Sequence, residues 1–155
     1  MIQRPQTVTM AIAAILLTVS IFTPIWQKTT AAGVMTLGTI SYQVVPAGGD
    51  ATGGWTLIAA VLAFVSIALT FTSVFSFKNR RAQLKTNLIN ILVILAMIGA
   101  NFFWFFRIQN AFEPESKGTF GIGFFLPLIA LLMMNVSNHL IRRDEKLVQD
   151  SDRLR

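Results

Sequence analysis

The run NLINILVILAMIGANFFWFFR, residues 87–107, decides the fold class of this chain. It carries no acidic or basic side chain before Arg107 at its end. At about 1.5 Å per helical residue it spans roughly 30 Å, the thickness of the hydrocarbon core of a bilayer. Three further apolar runs of similar length lie at residues 7–26, 55–77 and 118–141. The sequence therefore predicts four transmembrane helices.

The composition supports this prediction. Of 155 residues, 54% are apolar and only 13% are charged, with a mean hydropathy of +0.61, which is unlike a soluble domain. Backbone polar groups in lipid must be hydrogen-bonded within the spanning segment, so the expected class is an all-α membrane protein with a single domain over residues 1–155. The first run also fits a secretory signal peptide with TAA at 30–32 as its cleavage site, but its length favours a retained helix.

The cations predict the orientation of the four spans. One side holds Arg4, Lys78, Arg80, Arg81, Lys85, Arg142, Arg143, Lys146, Arg153 and Arg155, and the other holds Lys28, Arg107 and Lys117. The positive-inside rule then predicts that both termini, the basic loop 78–86 and the charged tail 142–155 are cytoplasmic. Trp26, Trp55 and Trp104 fall at the outer ends, where indole rings favour the headgroup level. The basic balance thus follows from topology, and no nucleic-acid partner is expected.

The outer loop 27–54 has a different composition from the spans. VMTLGTISYQVVP, residues 34–46, mixes β-branched residues with turn formers, and AGGDATGG follows at 47–54. This pattern predicts a small extracytoplasmic β-hairpin between helices 1 and 2, followed by a flexible glycine-rich return.

The tail IRRDEKLVQDSDRLR, residues 141–155, alternates bases with acids. Opposite charges such as Arg142 and Glu145 stand three or four residues apart, so they can pair on one helix. The tail is then either a solvated, self-paired helix or a docking element for the basic loop or for a partner, since a purely electrostatic membrane anchor needs no acids. The partner-docking hypothesis names Arg142, Arg143, Asp144, Glu145, Lys146, Asp152, Arg153, Arg155, Lys78, Arg80 and Arg81.

Within the spans the polar residues are amides and hydroxyls rather than charges. No carboxylate or ammonium lies at depth, which counts against a proton-coupled carrier or an ion pump. An intramembrane polar layer is predicted toward the cytoplasmic side, either as hydrogen-bonded glue between helices or as a headgroup or small-ligand site. Its members are Asn87, Asn90, Asn135, Asn138 and His139. A lone histidine without cysteine is a poor metal site, so neither a metal nor a cofactor is expected.

Small residues form seams in the first two spans. In span two they recur in steps of three and four, and span one repeats the spacing, so the two seams are predicted to pack together. The seams comprise Thr56, Ala59, Ala63, Ser66, Thr70 and Ser73, and Thr7, Ala11, Ala14 and Thr18.

Four segments resemble one known family. They are MIQRPQTV at 1–8, FKNRRAQLK at 77–85, GFFLPL at 123–128 and RRDEKLVQDSDRLR at 142–155. The chain resembles, over its whole length, a family of small four-helix inner-membrane proteins of Bacteroidota that is catalogued as a domain of unknown function. The resemblance implies an integral protein of the bacterial inner membrane and supplies no activity, cofactor or catalytic residue.

These observations predict a non-catalytic accessory or assembly subunit that docks a partner through its tail and basic loop. The alternative is a small passive carrier or lipid-handling protein that uses the asparagine layer. An enzyme is not expected, because the chain offers no positioned base, nucleophile or metal. The expected partners are the lipid bilayer and another membrane or cytoplasmic protein, with the oligomeric state left open.

Overall fold

The computed structural model describes residues 5–76, 79–109 and 117–153, with side chains described up to Lys146 in the last range. It contains four helices that are long and apolar enough to cross a membrane, which is compatible with a membrane protein. They are α1 (Pro5–Phe22), α2 (Leu57–Phe75), α3 (Arg80–Ile108) and α4 (Ile122–Arg153).

Local sequence signals account for several helix ends. Pro5 opens α1, where its fixed φ suits the first helical turn. Asn79 caps α3, because its side-chain oxygen accepts a hydrogen bond from the backbone N–H of Ala82 at 3.1 Å. Pro127 lies inside α4 and cannot donate to the carbonyl of Gly123.

The predicted all-α class is wrong, because the chain also forms a five-stranded antiparallel sheet in the order β4-β3-β2-β1-β5. The strands are β1 (Trp26–Thr30), β2 (Gly33–Leu37), β3 (Ser41–Pro46), β4 (Thr52–Trp55) and β5 (Thr119–Phe120). The predicted hairpin corresponds to β2 and β3 alone. β1 starts at the end of the first apolar run and continues into the outer loop, β4 comes from the glycine-rich return, and β5 comes from the start of the fourth apolar run.

Packing explains why the glycine-rich return becomes a strand. Gly54 of β4 stands opposite Tyr42 of β3, and a Cβ on Gly54 would lie 2.8 Å from the Tyr42 ring. Tyr42 in turn stacks on Trp104 of α3 with ring centroids 5.4 Å apart. A glycine within a strand commonly marks such a close approach, so this one makes room for an aromatic contact.

The sheet covers the end of the bundle where α1 and α3 finish, here called the sheet end. The turn between β2 and β3 fastens the sheet there, because the hydroxyl of buried Thr39 donates to the carbonyl of Ser20 at 3.1 Å. The hydroxyl of Thr56, just before α2, donates to the carbonyl of Thr39 at 2.6 Å. One turn therefore holds α1, α2 and the sheet together.

The interior is divided between two clusters. The cluster inside the bundle includes Met10, Leu17, Ile94 and Met97, and the cluster between sheet and helices includes Ile25, Trp26, Met35, Leu37 and Ile108. Trp26 is only 3% exposed, and its ring meets Phe105 edge-on at 5.3 Å. Its position is thus explained by packing under the sheet rather than by contact with headgroups.

The small-residue seam of α2 is buried, as its spacing predicts, and it contacts α3 as well as α1, where Ser73 Oγ lies 3.3 Å from the sulfur of Met10. Ser66 and Ser73 of the seam hydrogen-bond to side chains of α3. On α1, Ala14 of the predicted seam is buried, whereas Ala11 and Thr18 are exposed.

Candidate functional site

Asn87 is the centre of a buried hydrogen-bond network that touches all four helices. Its Nδ2 donates to Asn138 Oδ1 of α4 at 2.9 Å, and its Oδ1 accepts from the hydroxyl of Ser73 of α2. The same Nδ2 lies 3.8 Å from the sulfur of Met10 of α1. One amide on α3 thereby bridges the three other helices.

Asn90 forms a second node one turn further along α3. Its Oδ1 accepts from Ser66 Oγ at 2.7 Å, and its Nδ2 donates to Thr70 Oγ1 at 2.7 Å. We call Ser66, Thr70, Ser73, Asn87, Asn90 and Asn138 the amide network. Hydrogen bonds of this kind stabilise helix pairs in membranes by about 0.6 to 2 kcal/mol each. The geometry is therefore that of side-chain hydrogen bonds that hold neighbouring helices together.

The structure brings together only part of the predicted polar layer. Asn135 is exposed on α4, and its Nδ2 donates to the carbonyl of Leu131 in its own helix at 2.9 Å. His139 is exposed as well, because successive residues are rotated by about 100° around a helix and Asn138 takes the inward position. Asn135 and His139 therefore stand apart from the amide network.

Two buried glutamines join this region, and the sequence reasoning missed both. Gln83 is fully buried, its Nε2 donates to the carbonyl of Ser73 at 3.1 Å, and its Oε1 has no hydrogen-bond partner. Gln6 is 1% exposed, and neither of its side-chain polar atoms has a partner. Gln83 lies one turn before Asn87 on the same helical face, which was the available signal. Residue 83 falls inside the predicted basic loop 78–86 and before the predicted third span, so Gln83 was not among the predicted intramembrane polar residues.

The charged residues of the docking hypothesis meet at the other end of the bundle. Arg80 Nη1 donates to the carbonyl of Asp144 at 2.9 Å, and Arg81 Nε lies 3.9 Å from Glu145 Oε1. Arg142, Arg143 and Lys146 are exposed. We call these residues the charged face: Arg80, Arg81, Arg142, Arg143, Asp144, Glu145 and Lys146. The hypothesis also names Lys78, Arg155 and the side chains of Asp152 and Arg153, which lie outside the described residues.

The last helix is longer than a membrane span requires. α4 has 32 residues, or about 48 Å at 1.5 Å per residue, against roughly 30 Å for a hydrocarbon core. Its apolar run ends at Ile141, while the helix continues to Arg153. The α4 residues of the charged face, Arg142 to Lys146, therefore lie on a part of the helix that extends beyond the apolar run.

Replacing Glu145 by glutamine is expected to change the free energy of unfolding by less than about 1 kcal/mol. Arg81 is 84% exposed and the pair is long at 3.9 Å, so solvent screens the attraction. Denaturant titration in detergent micelles would measure the change, with Arg142→Gln as the control for losing a single exposed charge. A loss well above that of the control would show that the pair holds α3 and α4 together.

Lys28 is a buried cation near the sheet end. It is 2% exposed, and its ammonium donates to the carbonyl of Gln109 at 3.2 Å, just after the end of α3. A cation beside the last carbonyls of a helix is favourable, because it complements the helix dipole. The charge pattern of the sequence gave no sign that this lysine is buried.

Comparison with known proteins identifies a family but no activity. No curated protein matched the chain. Among the residues whose side chains the structure describes, 5–76, 79–109 and 117–146, no group of three or more His, Asp or Glu residues could hold a metal ion. A family model covers nearly the whole chain, which confirms the expected domain of unknown function. The chain belongs to the family described as Domain of unknown function (DUF4293), whose model matches residues 2–154.

Proposed function

We propose that this chain is a non-catalytic accessory or assembly subunit of the bacterial inner membrane, with both termini cytoplasmic, that docks a partner through its charged face. The observation that carries the proposal is the unbroken run of α4 from the bundle core to Arg153. A helix that continues beyond its span presents its charged residues on a rigid support.

The distribution of cations supports the cytoplasmic orientation of the charged face. The end opposite the sheet carries Arg80, Arg81, Lys85, Arg142, Arg143 and Lys146, whereas the sheet end carries Lys28, Arg107 and Lys117. Cytoplasmic loops of membrane proteins are enriched in lysine and arginine. The sheet is accordingly extracytoplasmic in this proposal.

Contacts within the chain make the charged face suitable for docking. The hydrogen bond from Arg80 to the carbonyl of Asp144 fixes the end of α4 against the start of α3. Such preorganisation lowers the entropic cost of binding a partner. Interleaved acids and bases also favour one orientation of a complementary surface over others.

The amide network is less suited to the alternative function of a passive carrier or lipid-handling protein. Asn87 and Asn90 already use both polar atoms of their side chains in bonds to neighbouring helices. A ligand at this layer would have to replace those bonds. The network therefore supports a structural role.

Cysteine labelling tests the orientation, and the chain has no cysteine of its own. Thr29→Cys places a thiol on the exposed face of β1, and Arg142→Cys places one on the charged face. A membrane-impermeant maleimide is expected to label the first in intact spheroplasts and the second only after permeabilisation. The reverse pattern would contradict the proposed orientation.

Co-purification tests the docking. A chain stopped after Ile141 lacks the tail residues of the charged face, including Asp144 and Glu145, which Arg80 and Arg81 contact. Quantitative mass spectrometry of gently solubilised native membranes is expected to find a protein that accompanies the intact chain and is depleted at least about tenfold with the shortened one, a difference of about 1.4 kcal/mol.

Two matched variants sharpen the test. Reversing Arg142 and Arg143 to glutamate should abolish co-purification of the same protein, because partner charges that complement the two arginines would be repelled by glutamates. Val136→Ala, at an exposed apolar position of α4, should retain it. Identical protein lists from the intact, shortened and charge-reversed chains would contradict the docking function.

A further inference from the structure

A narrow cleft separates α3 from α4 just below the sheet. These two helices are the least closely packed of the adjacent helix pairs. Phenylalanine rings wall the cleft, with Phe102 and Phe124 5.7 Å apart and Phe120 and Phe124 4.7 Å apart between centroids. About 10 Å³ is open to the centre of a water-sized group, which is room for one hydroxyl or one water. We call it the phenylalanine cleft.

Asn101 lines this cleft and differs from the other buried asparagines. It is 7% exposed, yet its Oδ1 has no hydrogen-bond partner. It lies about 10 Å along α3 from Ile108, the last residue of the helix, and therefore about two turns before the sheet end. An unpaired buried carbonyl costs about 1 to 3 kcal/mol. Asn87 and Asn90 avoid that cost through the amide network, whereas Asn101 does not.

The proline in α4 also affects a residue of this cleft. Gly123 belongs to its wall, and its carbonyl lacks the usual donor four residues on because Pro127 has no N–H. No lysine or arginine lies among the cleft residues. The unpaired Asn101 oxygen, with no cation beside it, selects a neutral donor such as a hydroxyl and disfavours phosphate or carboxylate groups.

We propose that the phenylalanine cleft binds a neutral, hydroxyl-bearing lipid. The hydroxyl enters the small space and donates to Asn101 Oδ1. The apolar chain lies along the groove between α3 and α4, against the phenylalanine rings. Phe120, 44% exposed, stands where such a chain would enter. This site is separate from the charged face and from the amide network, so its test is independent of the docking test.

The binding test uses two probes with the same chain, farnesol and farnesyl methyl ether, titrated against the intact protein in nanodiscs. One hydrogen bond is expected to make farnesol bind roughly threefold to tenfold more tightly than the ether, measured by the rise in the unfolding midpoint. Asn101→Leu should abolish that difference, because it removes the acceptor and keeps the volume. Asn135→Ala, which removes an exposed asparagine from α4, should preserve it.

The intact chain and the Asn101→Leu variant each provide a decisive outcome. Equal binding of the two probes by the intact chain would overturn the proposal, as would a preference for farnesol that survives in Asn101→Leu. Mass spectrometry of lipids that co-purify with the chain should find a hydroxyl lipid enriched over the membrane, and its chain would distinguish an isoprenoid alcohol from a glyceride. If only phospholipid co-purifies, in the same proportions as in the bulk membrane, the result would count against a lipid site. The space beside Asn101 would then hold a single water.

Discussion

Replacing Asn87 by alanine is expected to lower the free energy of unfolding by about 2 to 3 kcal/mol. The change removes the hydrogen bonds that Asn87 makes with Ser73 and Asn138, so both of these side chains lose Asn87 as a partner. It also removes the contact with the sulfur of Met10. Asn87 links all four helices, so the loss in free energy of unfolding should exceed the loss from removing a single hydrogen bond at the surface.

The measurement is unfolding of the bundle in mixed micelles by titration with a denaturing detergent. Asn135→Ala is the matched control, since it removes the same side chain from an exposed position where it bonds only to its own helix. Its effect should stay within about 0.5 kcal/mol. Equal losses at the two positions would show that the amide network does not hold the helices together.

Replacing Gly123 by alanine is expected to cost about 2 to 3 kcal/mol through overpacking. A Cβ there would lie 2.6 Å from the carbonyl oxygen of Thr23 and 2.7 Å from that of Pro24. Both atoms are backbone, so no side chain can turn aside. The N–H of Gly123 also donates to the Pro24 carbonyl at 3.1 Å, and displacing α4 would strain that bond.

Gly99→Ala provides the control, because nothing lies within 4 Å of its Cβ position on α3. It should be neutral or stabilising by up to about 1 kcal/mol, as expected for glycine to alanine within a helix. The same micelle titration measures both changes. A neutral Gly123→Ala would mean that the start of α4 can move away from the Thr23 and Pro24 carbonyls without cost.

The two destabilising changes act at opposite ends of the bundle, with Asn87 near the start of α3 and Gly123 near the start of the antiparallel α4. They share no contact partner, so their effects should add within about 0.5 kcal/mol in the double variant. A markedly smaller combined loss would indicate that the two ends of the bundle unfold separately.

Hydropathy and length by themselves indicated the four long apolar helices, because a helix that crosses lipid must satisfy its backbone hydrogen bonds within one continuous segment. The buried seam of α2 was also readable from its spacing. These are local properties, and each depends only on residues close together in the chain.

The sheet and the partners of the polar residues depended on contacts between distant segments. β5 is two residues long and pairs Phe120 with Trp26, far apart in the sequence, so no local pattern marks it as a strand. The rotation of α4 about its axis turns Asn138 toward Asn87 and leaves Asn135 exposed. The packing of the other helices sets that rotation, since Asn135 and Asn138 lie only about 60° apart around α4 and the sequence alone does not say which of them faces inward. Strand pairing and helix rotation are fixed by contacts that exist only once the chain has folded, which is why the tertiary structure alone decided them.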